Sequence, residues 1–358
     1  MMFTTQAQIS DLAARLTQAE AVALDTEFLR ERTYRAELCL LQLSCGDEPL
    51  CVDPMAGLDL SPLAAPLSGQ APVIVMHACR QDIEVLLPAL GMIKPVFDTQ
   101  IAAGLCGMPA QIGYAELVRR VLGVELPKGQ TRTDWSRRPL SAEQLEYALD
   151  DVRYLLPLRA HLLSELDRLG RTTWLHEELA GLDDPAAYVV DPEQAWLRIK
   201  SFKGLDEDRA RLAQALAAWR ERRASERNRP RGWILDDALL REIVVRAPRT
   251  PQGLAALPEM PQGFIKHSGQ DVLRLILDAR LPETLPRLNT RPAPDPVKAA
   301  LVKKLGTVQQ AVAAELALPA EILATRKDLE QLADGRQDVT ALAGWRRTVI
   351  GEQLLAAL

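Results

Sequence analysis

The sequence is poor in aromatic residues and in histidine. Phe, Trp and Tyr together make up 4% of its 358 residues, and there are 4 histidines. Extensive stacking of nucleobases or other ligand rings on aromatic side chains is therefore excluded. If the chain recognises nucleic acid, recognition has to rest mainly on backbone charge and on the geometry of a strand end.

Cysteine motifs and long apolar segments are also missing. The five cysteines form no C-x-x-C pair, which argues against a zinc site and favours a reducing compartment. No apolar run approaches the length of a membrane span. The N-terminus lacks the basic and apolar segments of a secretory signal. We therefore expect a cytoplasmic protein with no membrane partner.

Negative charge is concentrated in the first half of the chain. The formal net charge is −5, and residues 1–175 hold 16 Lys and Arg against 22 Asp and Glu, whereas the remainder holds 27 against 26. Two divalent cations bound in the first half would cancel about four of its negative charges. The overall acidity is therefore weak evidence against a nucleic-acid substrate.

Short apolar runs bounded by Gly, Pro and polar residues predict a mixed α/β fold for the first half. An opening helix is followed by predicted strands at 21–28, 38–44, 50–52, 73–76 and 96–97. A helix is predicted from Asp82 to Leu90, and another begins after Ser141, which forms a capping-box pattern with Gln144. Pro157 is expected to interrupt that helix, because its ring displaces a carbonyl of the preceding turn.

The second half has mainly helical periodicity, interrupted by the proline-rich stretch LPETLPRLNTRPAPDP, which is typical of a linker. The predicted architecture is an α/β domain, with a mixed sheet flanked by helices, followed by two small all-α domains. The predicted boundaries are a first domain at 1–175, a linker at 176–191, a helical domain at 192–280, the proline-rich linker at 281–296 and a second helical domain at 297–358.

Asp25 and Glu27 lie at the end of an apolar strand in VALDTEF. Residues i and i+2 of a strand point to the same face, so both carboxylates project together. A solvated strand edge would also explain a D-x-E pair. Two anions on a mostly buried strand, however, repel each other and lose solvation, so a bound cation would offset the cost. The pair is a candidate metal site.

A second candidate pair lies on the predicted helix LEYALDDVRYLLPL. Tyr147 and Asp151 are spaced i, i+4 and share a face, whereas Asp150 lies about 100° round the helix. The alternative is a core tyrosine beside an ordinary acid. Asp82 follows a buried strand and opens a helix, where an acid could simply favour the helix dipole. The rivals of Asp82 are Asp47, Asp53, Asp59 and Asp98.

The order and spacing of these motifs resemble the DEDD superfamily of 3′→5′ exonucleases, in its tyrosine-containing branch, and within it the ribonuclease D family. The resemblance covers residues 1–175 and rests on the segments DTEFLRERTYRAELCLLQLS, HACRQDIEVL, FDTQIAA and TDWSRRPLSAEQLEYALDDVRYLLPL. The helical remainder is similar to a pair of HRDC domains, and its first block fits better than its second. The resemblance implies an RNase H-like fold for the first domain.

The resemblance also implies the roles of the site residues. Asp25, Glu27, Asp82 and Asp151 would hold two divalent ions, Mg2+ or Mn2+, and Tyr147 would position the attacking water. A tyrosine with a pKa near 10 is a poor general base at neutral pH, so that orientation of water by hydrogen bonding is the expected role.

Further residues are predicted to contact the substrate. His77 stands five residues before Asp82, the spacing of the superfamily's histidine branch, but that assignment would leave Tyr147 and Asp151 without a role. His77 is therefore expected to form part of the site wall. The predicted substrate contacts are Thr26, Phe28, His77, Arg222 and Arg223. Phe28 could equally be a core residue.

Two basic segments are candidates for contact with RNA. The run WRERRASERNRPR has six arginines between Arg220 and Arg231, which is typical of a phosphate-tracking patch or of a solvated helix end. In the loop KGQTRTDWSRRPL, Arg132, Arg137 and Arg138 either border an RNA channel or pair with nearby acids.

The leading hypothesis is a monomeric two-metal-ion 3′→5′ exoribonuclease. It would hydrolytically trim the 3′ ends of structured RNAs, such as tRNA precursors, and release nucleoside 5′-monophosphates. One alternative is a DNA 3′→5′ exonuclease of proofreading or Werner type, which the motifs themselves do not exclude. The other is a non-catalytic RNA-binding scaffold, which would have no reason to keep four repelling carboxylates.

Overall fold

The computed structural model describes residues 1–46, 48–127, 133–202, 204–282 and 295–358. The chain forms two compact units. The first contains Met1–Leu29, Leu38–Tyr188 and the C-terminal segment that ends at Leu358, and the second contains Arg30–Glu37 and the segment that begins at Val189. Asp47, Arg132 and most of the proline-rich linker lie outside the described residues.

A six-stranded mixed sheet forms the centre of the first unit, with the strand order β1-β4-β3-β2-β5-β6. Strands β1–β4, β2–β5 and β5–β6 pair in parallel, and β3 pairs antiparallel with β4. The strands are β1 Met2–Phe3, β2 Ala21–Leu29, β3 Glu37–Ser44, β4 Leu50–Val52, β5 Val73–Met76 and β6 Val96–Asp98. All five predicted strands are confirmed; β1, with two residues, is too short to show a pattern.

Helices cover both faces of this sheet. They are α1 Gln6–Gln18, α2 Ala64–Leu67, α3 Arg80–Leu90, α4 Thr99–Leu105, α5 Tyr114–Leu122, α6 Ala142–Arg153, α7 Leu155–Arg168 and α8 Thr172–Ala180. Helix α8 extends into the predicted linker at 176–191, because it packs on the core through Leu175, and Leu182 beyond it is also buried. The transition to the second unit falls instead after Tyr188.

Alternation along β2 assigns its side chains to two layers. Val22 and Leu24 pack with residues of α1 and α3, whereas Ala23 packs with residues of α6 and α7. Because successive side chains of a strand point to opposite faces, Asp25 and Glu27 continue the Ala23 face, toward α6.

The start and end of α6 follow the predicted signals. The Ser141 hydroxyl accepts a hydrogen bond from the Gln144 amide at 3.2 Å, and the Gln144 side-chain oxygen accepts one from the Ser141 amide at 2.8 Å. The helix ends at Arg153, and Tyr154 separates it from α7, which contains Pro157. The predicted capping box and interruption are both confirmed.

The second unit is helical and has its own hydrophobic core. Its helices are α9 Glu207–Glu226, α10 Arg231–Ile234, α11 Asp237–Arg246, α12 Pro251–Ala255 and α13 Gln262–Asp278. Residues Pro192–Arg198 and Lys200–Phe202 form 3-10 turns. Helix α13 begins at Gln262, after the N-cap Pro261.

The C-terminal segment packs into the core of the first unit instead of forming a separate one. It contains α14 Pro296–Glu315, α15 Ala320–Leu323, α16 Arg326–Ala333, α17 Gly344–Arg346 and α18 Glu352–Ala356. Trp345 stacks on Trp174 of α8 with ring centroids 4.3 Å apart, and its backbone and indole N–H groups donate to Glu177 and Glu178 at 2.7 and 2.8 Å. The HRDC-like character predicted for 297–358 stays a prediction.

The described part of the chain has no helix with the length and apolar character of a membrane span. All five cysteines are free thiols.

We expect Trp345→Ala to destabilise the first unit by about 3–5 kcal/mol, because the stacked ring is 5% exposed and its loss leaves a cavity. Trp233→Ala is the matched control: that ring is 59% exposed, and its loss is expected to cost less than about 1 kcal/mol. Urea unfolding of both variants measures the difference. Equal losses of unfolding free energy in the two variants would contradict the packing of the C-terminal segment into the core of the first unit.

Candidate active site

The predicted site residues come from three elements of the first unit. Asp25 and Glu27 project from β2, Asp82 lies in the first turn of α3, and Tyr147 and Asp151 lie one turn apart on α6. Because β2 faces α6 and α3 begins beside the same end of the sheet, the structure brings all five together. We call the four carboxylic acids Asp25, Glu27, Asp82 and Asp151 the acidic cluster.

Each member of the acidic cluster has a raised pKa. Burial is the largest cause for all four. It raises the pKa of Asp25 well above its usual value, that of Glu27 to about 8, that of Asp82 to about 6 and that of Asp151 to about 7. The negative charges of the other members add to the effect: Asp25 is repelled by all three, and Glu27 by Asp151 and Asp82. The four carboxyl groups are therefore close enough for their charges to interact.

Two neutral donors oppose this repulsion. The Thr26 hydroxyl donates to Asp82 Oδ1 at 2.6 Å, and the Tyr147 hydroxyl donates to the carboxylate of Asp151. Each bond lowers the pKa of its acceptor. Burial, followed by the charges of Asp151, Glu27 and Asp25, raises the pKa of Tyr147, so its phenol stays protonated at neutral pH and acts as a hydrogen-bond donor.

Asp150, the competitor of Asp151, has a different environment. Its carboxylate pairs with Arg153 on the same helix, and it is 7% exposed. The two neighbours on α6 thus differ in their partners: Asp151 accepts a hydrogen bond from Tyr147 and is repelled by Asp150 and Asp82, whereas Asp150 has a cationic partner. The choice of Asp151 from its register with Tyr147 agrees with this arrangement.

The rivals of Asp82 that the structure describes form hydrogen bonds or ion pairs with groups outside the acidic cluster. Asp98 caps α4 and accepts hydrogen bonds from the backbone N–H groups of residues 78, 79, 100 and 101, at 2.8–3.3 Å. Asp53 forms a two-point ion pair with Arg138, at 2.6 and 2.7 Å, and Asp59 binds the amide and hydroxyl of Ser61. Asp98 still contributes to the site through its charge, which raises the pKa of Asp82.

His77 is half-buried, at the end of β5. Its Nδ1 lies 2.8 Å from the Thr99 hydroxyl, and its Nε2 lies 3.0 Å from the Ile112 carbonyl, to which it donates. Burial lowers the pKa of the ring, so it is neutral. Both ring nitrogens are engaged, and His77 offers a substrate no polar atom; it supports the wall behind Asp98 and α5.

The other predicted substrate contacts have mixed environments. Thr26 is 5% exposed, and its hydroxyl is committed to Asp82. Phe28 is partly exposed and belongs to none of the hydrophobic clusters formed by the described residues, which is compatible with stacking on a base. In the second unit, Arg222 pairs with Glu193 at 2.8 Å, and Arg223 pairs with Asp271 at 3.3 Å. Their contact with substrate stays a prediction.

The loop around Arg137 and Arg138 is anchored by its own ion pairs. Arg138 binds Asp53 and the carbonyl groups of Cys39 and Trp135, and Arg137 pairs with Asp134 at 3.1 Å. Of the two interpretations of these arginines, pairing with nearby acids is the one the structure shows.

Two buried residues on the α6 side of the sheet, Gln42 and Trp135, were not predicted from the sequence. Gln42 on β3 is fully buried, and its amide has no hydrogen-bond partner among the described residues. Its neighbours Leu41 and Leu43 point toward α1, so Gln42 points to the α6 face that also carries Asp25. Trp135 is 3% exposed and packs beside Tyr147, with ring centroids 6.1 Å apart. Only tertiary contacts reveal either role.

Comparison with known proteins identifies the family to which the chain belongs. Residues 1–167 match the family model described as a 3'-5' exonuclease, and residues 209–276 match the model of the HRDC domain. The chain is 40% identical to ribonuclease D of Nitrobacter hamburgensis, over 99% of this chain and 94% of that protein. It is 38% identical to ribonuclease D of Zymomonas mobilis, over 100% and 93%.

A solved structure supports the same assignment over the whole fold. The crystal structure of Escherichia coli RNase D aligns with a TM-score of 0.88 and 33% identity, covering 100% of this chain and 98% of that one. The predicted α/β domain with a mixed sheet flanked by helices, the helical HRDC region that follows it and the family resemblance are confirmed. The chain belongs to the ribonuclease D family and is a hydrolase of the 3′→5′ exoribonuclease type.

Proposed function

We propose that this enzyme trims the 3′ ends of structured RNAs, such as tRNA precursors, and that it does so with two divalent metal ions, releasing nucleoside 5′-monophosphates. The observation that carries the proposal is the convergence of the acidic cluster beside Tyr147. The Escherichia coli relative is described as an exoribonuclease involved in structured RNA processing, which supports the choice of substrate.

The chemistry of the acidic cluster fits Mg2+ or Mn2+. Both are hard cations that prefer carboxylate oxygens, and both would offset the repulsion that raises the four pKa values. Among the described residues, no group of three or more His, Cys, Asp or Glu side chains is already arranged to hold a metal ion. The proposal therefore requires carboxylate side chains to rotate on binding, and the bonds of Thr26 and Tyr147 are the contacts that would change.

Two ions at the cluster would lower the pKa of water and stabilise charge on the scissile phosphate. The protein's own residues have separate tasks. Glu27, Asp25 and Asp151 provide negative charge on the face shared by β2 and α6, and Thr26 holds the Asp82 carboxylate in place. Tyr147 stays protonated, so it orients the attacking water by donating or accepting a hydrogen bond and does not remove a proton.

The alternatives differ in substrate and in activity. Membership in the ribonuclease D family favours RNA over the DNA exonuclease of proofreading or Werner type. The hypothesis of a non-catalytic RNA-binding scaffold is disfavoured, because the acidic cluster is complete and the family is one of hydrolases.

We expect Asp151→Asn to reduce trimming of a tRNA with extra 3′ nucleotides by at least about 100-fold, since loss of an indirect supporting group already costs about 10–100-fold at metal sites. Asp25→Asn should behave alike. Asp150→Asn is the matched control: the same change one residue away removes one of the two acidic partners of Arg153, which keeps Glu146, and should leave trimming close to wild type. Release of nucleoside monophosphates in Mg2+ measures the rates. Undiminished trimming by both site variants would refute the proposal.

The choice of RNA over DNA can be tested with single strands of one sequence. We expect faster release of 5′-monophosphates from the RNA, and faster trimming of a tRNA with a 3′ extension than of the matching DNA hairpin. Equal rates on RNA and DNA would favour the alternative of a DNA exonuclease.

Repulsion in the acidic cluster predicts a pH-dependent stability of the chelated protein. The pKa of Glu27 is raised from 4.5 to about 8, so the folded state holds a proton that the unfolded state releases, and stability falls as pH rises through this window. Glu27→Gln removes that loss. In EDTA, its advantage over wild type should grow between pH 4.5 and 8, to at most about 5 kcal/mol. Urea unfolding measures it.

Asp11→Asn, an exposed change on α1, is the control for this experiment. Added Mg2+ should reduce the advantage of Glu27→Gln at pH 8, because the cation stabilises the charged cluster in wild type. An advantage that is independent of pH would show that Glu27 does not lie in a repulsive site.

A further inference from the structure

The segment Arg30–Glu37, which follows β2, belongs to the second unit. It begins three residues after Glu27 in the sequence. The Tyr34 hydroxyl hydrogen-bonds to Glu221 of α9, and the backbone N–H groups of Tyr34 and Arg35 donate to Asn228 Oδ1 at 3.1 and 3.2 Å. These bonds place the loop beside the end of α9.

A buried ion pair strengthens this attachment. Glu221 is 3% exposed and receives two hydrogen bonds from Arg231, both at 2.6 Å. The Arg231 guanidinium also lies over the Tyr34 ring, 4.7 Å from its centroid. Because the charge of Glu221 is compensated by Arg231 and Tyr34 together, separation of the loop from α9 would leave a buried carboxylate short of partners.

The attachment assembles a positively charged surface from two distant parts of the sequence. Arg32 and Arg35 of the loop are exposed, as are Arg227 and Arg229, which flank Asn228. None of these four has an ion-pair partner among the residues that the structure describes, in contrast to Arg222 and Arg223. The exposed acids in the loop Arg30–Glu37 and around Asn228 are Glu31, Glu37 and Glu226. Of these, Glu226 pairs with Arg223.

An exposed aromatic ring adjoins these arginines. Trp233 is 59% exposed, and the Arg229 guanidinium lies 5.7 Å from its ring centroid. We call Arg32, Arg35, Arg227, Arg229 and Trp233 the loop–helix surface. Planar guanidinium groups suit phosphate oxygens, and a ring with a free face suits an unpaired base.

We propose that the loop–helix surface binds a single-stranded segment of the RNA substrate, with the arginines on the phosphates and Trp233 stacked on one base. The proposal rests on the proposed exoribonuclease function. It assigns RNA contact to unpaired arginines rather than to Arg222 and Arg223, whose charges are already balanced by acids.

The test measures RNA affinity in the hydrolysis-deficient Asp151→Asn background, by fluorescence anisotropy of a labelled single strand of about 15 nucleotides. Arg35→Gln/Arg227→Gln/Arg229→Gln should raise Kd by about tenfold or more. It should also reduce the slope of log K against log salt by about 2, since each phosphate contact on a single strand contributes about 0.7.

Arg211→Gln/Arg246→Gln/Arg274→Gln removes the same charge from exposed positions of the second unit outside the surface and is the matched control. Its Kd and salt slope should stay close to those of the background protein. Trp233→Ala should raise Kd by about 5- to 100-fold, the loss of one stacked base, whereas Trp233→Phe should retain most of the affinity.

Equal effects of the two triple variants, or no effect of either, would overturn the proposal, since RNA would then respond only to net charge or bind elsewhere. Failure of the proposed function is a separate result: the wild-type enzyme would not trim RNA. Failure of the loop–helix surface alone would show as unchanged affinity in the triple variant while wild-type trimming is intact.

Discussion

Repulsion among the buried members of the acidic cluster is the constraint on which the rest of the site depends. Each carboxyl group is poorly hydrated and faces like charges, so its ionised form is disfavoured in the folded protein. The sheet and α6 nevertheless hold the groups together, because Ala23 of β2 and Val152 of α6 belong to one continuous core. Packing in that core therefore maintains an arrangement that electrostatics opposes, and the proposed binding of cations would relieve the repulsion.

The acids near the acidic cluster differ from its members in having partners that balance their charge. Asp98 is surrounded by backbone N–H groups, Asp53 is bound at two points by Arg138, and Asp150 is paired with Arg153. Each of these charges is balanced within the protein. Among the described residues, the acidic cluster receives hydrogen bonds from neutral groups and has no cationic partner, so negative charge is left there for a ligand. The location of uncompensated negative charge thus depends on the partners of the surrounding acids as much as on the acidic cluster itself.

Sequence reasoning succeeded where the cause of a structure is local. Apolar runs located β4 and β5 to the residue, and the Ser141 capping box located the start of α6. Spacing alone could not decide whether Asp82 or Asp98 belongs to the acidic cluster. The position of Asp98 directly before α4, however, is typical of an N-cap and could have indicated its role. Long-range contacts were out of reach: no local pattern shows that Arg220 of the basic run is 5% exposed and bound to Asp237, or that Trp345 stacks on Trp174.

The arginines of the second unit show why net charge is a poor guide to RNA binding. Those within helices mostly pair with acids on the same helix or a neighbouring one, as Arg211 does with Asp208 and Arg246 with Glu242. Paired guanidinium groups contribute little to the field that a polyanion meets. The four arginines of the loop–helix surface have no ion-pair partner among the described residues, so they contribute more to this field. The net charge of the whole chain is nevertheless −5. A phosphate backbone responds to local potential within about a Debye length, near 10 Å at moderate salt. Under the proposals made above, an acidic enzyme attracts RNA to one surface while keeping the negative charge of its acidic cluster.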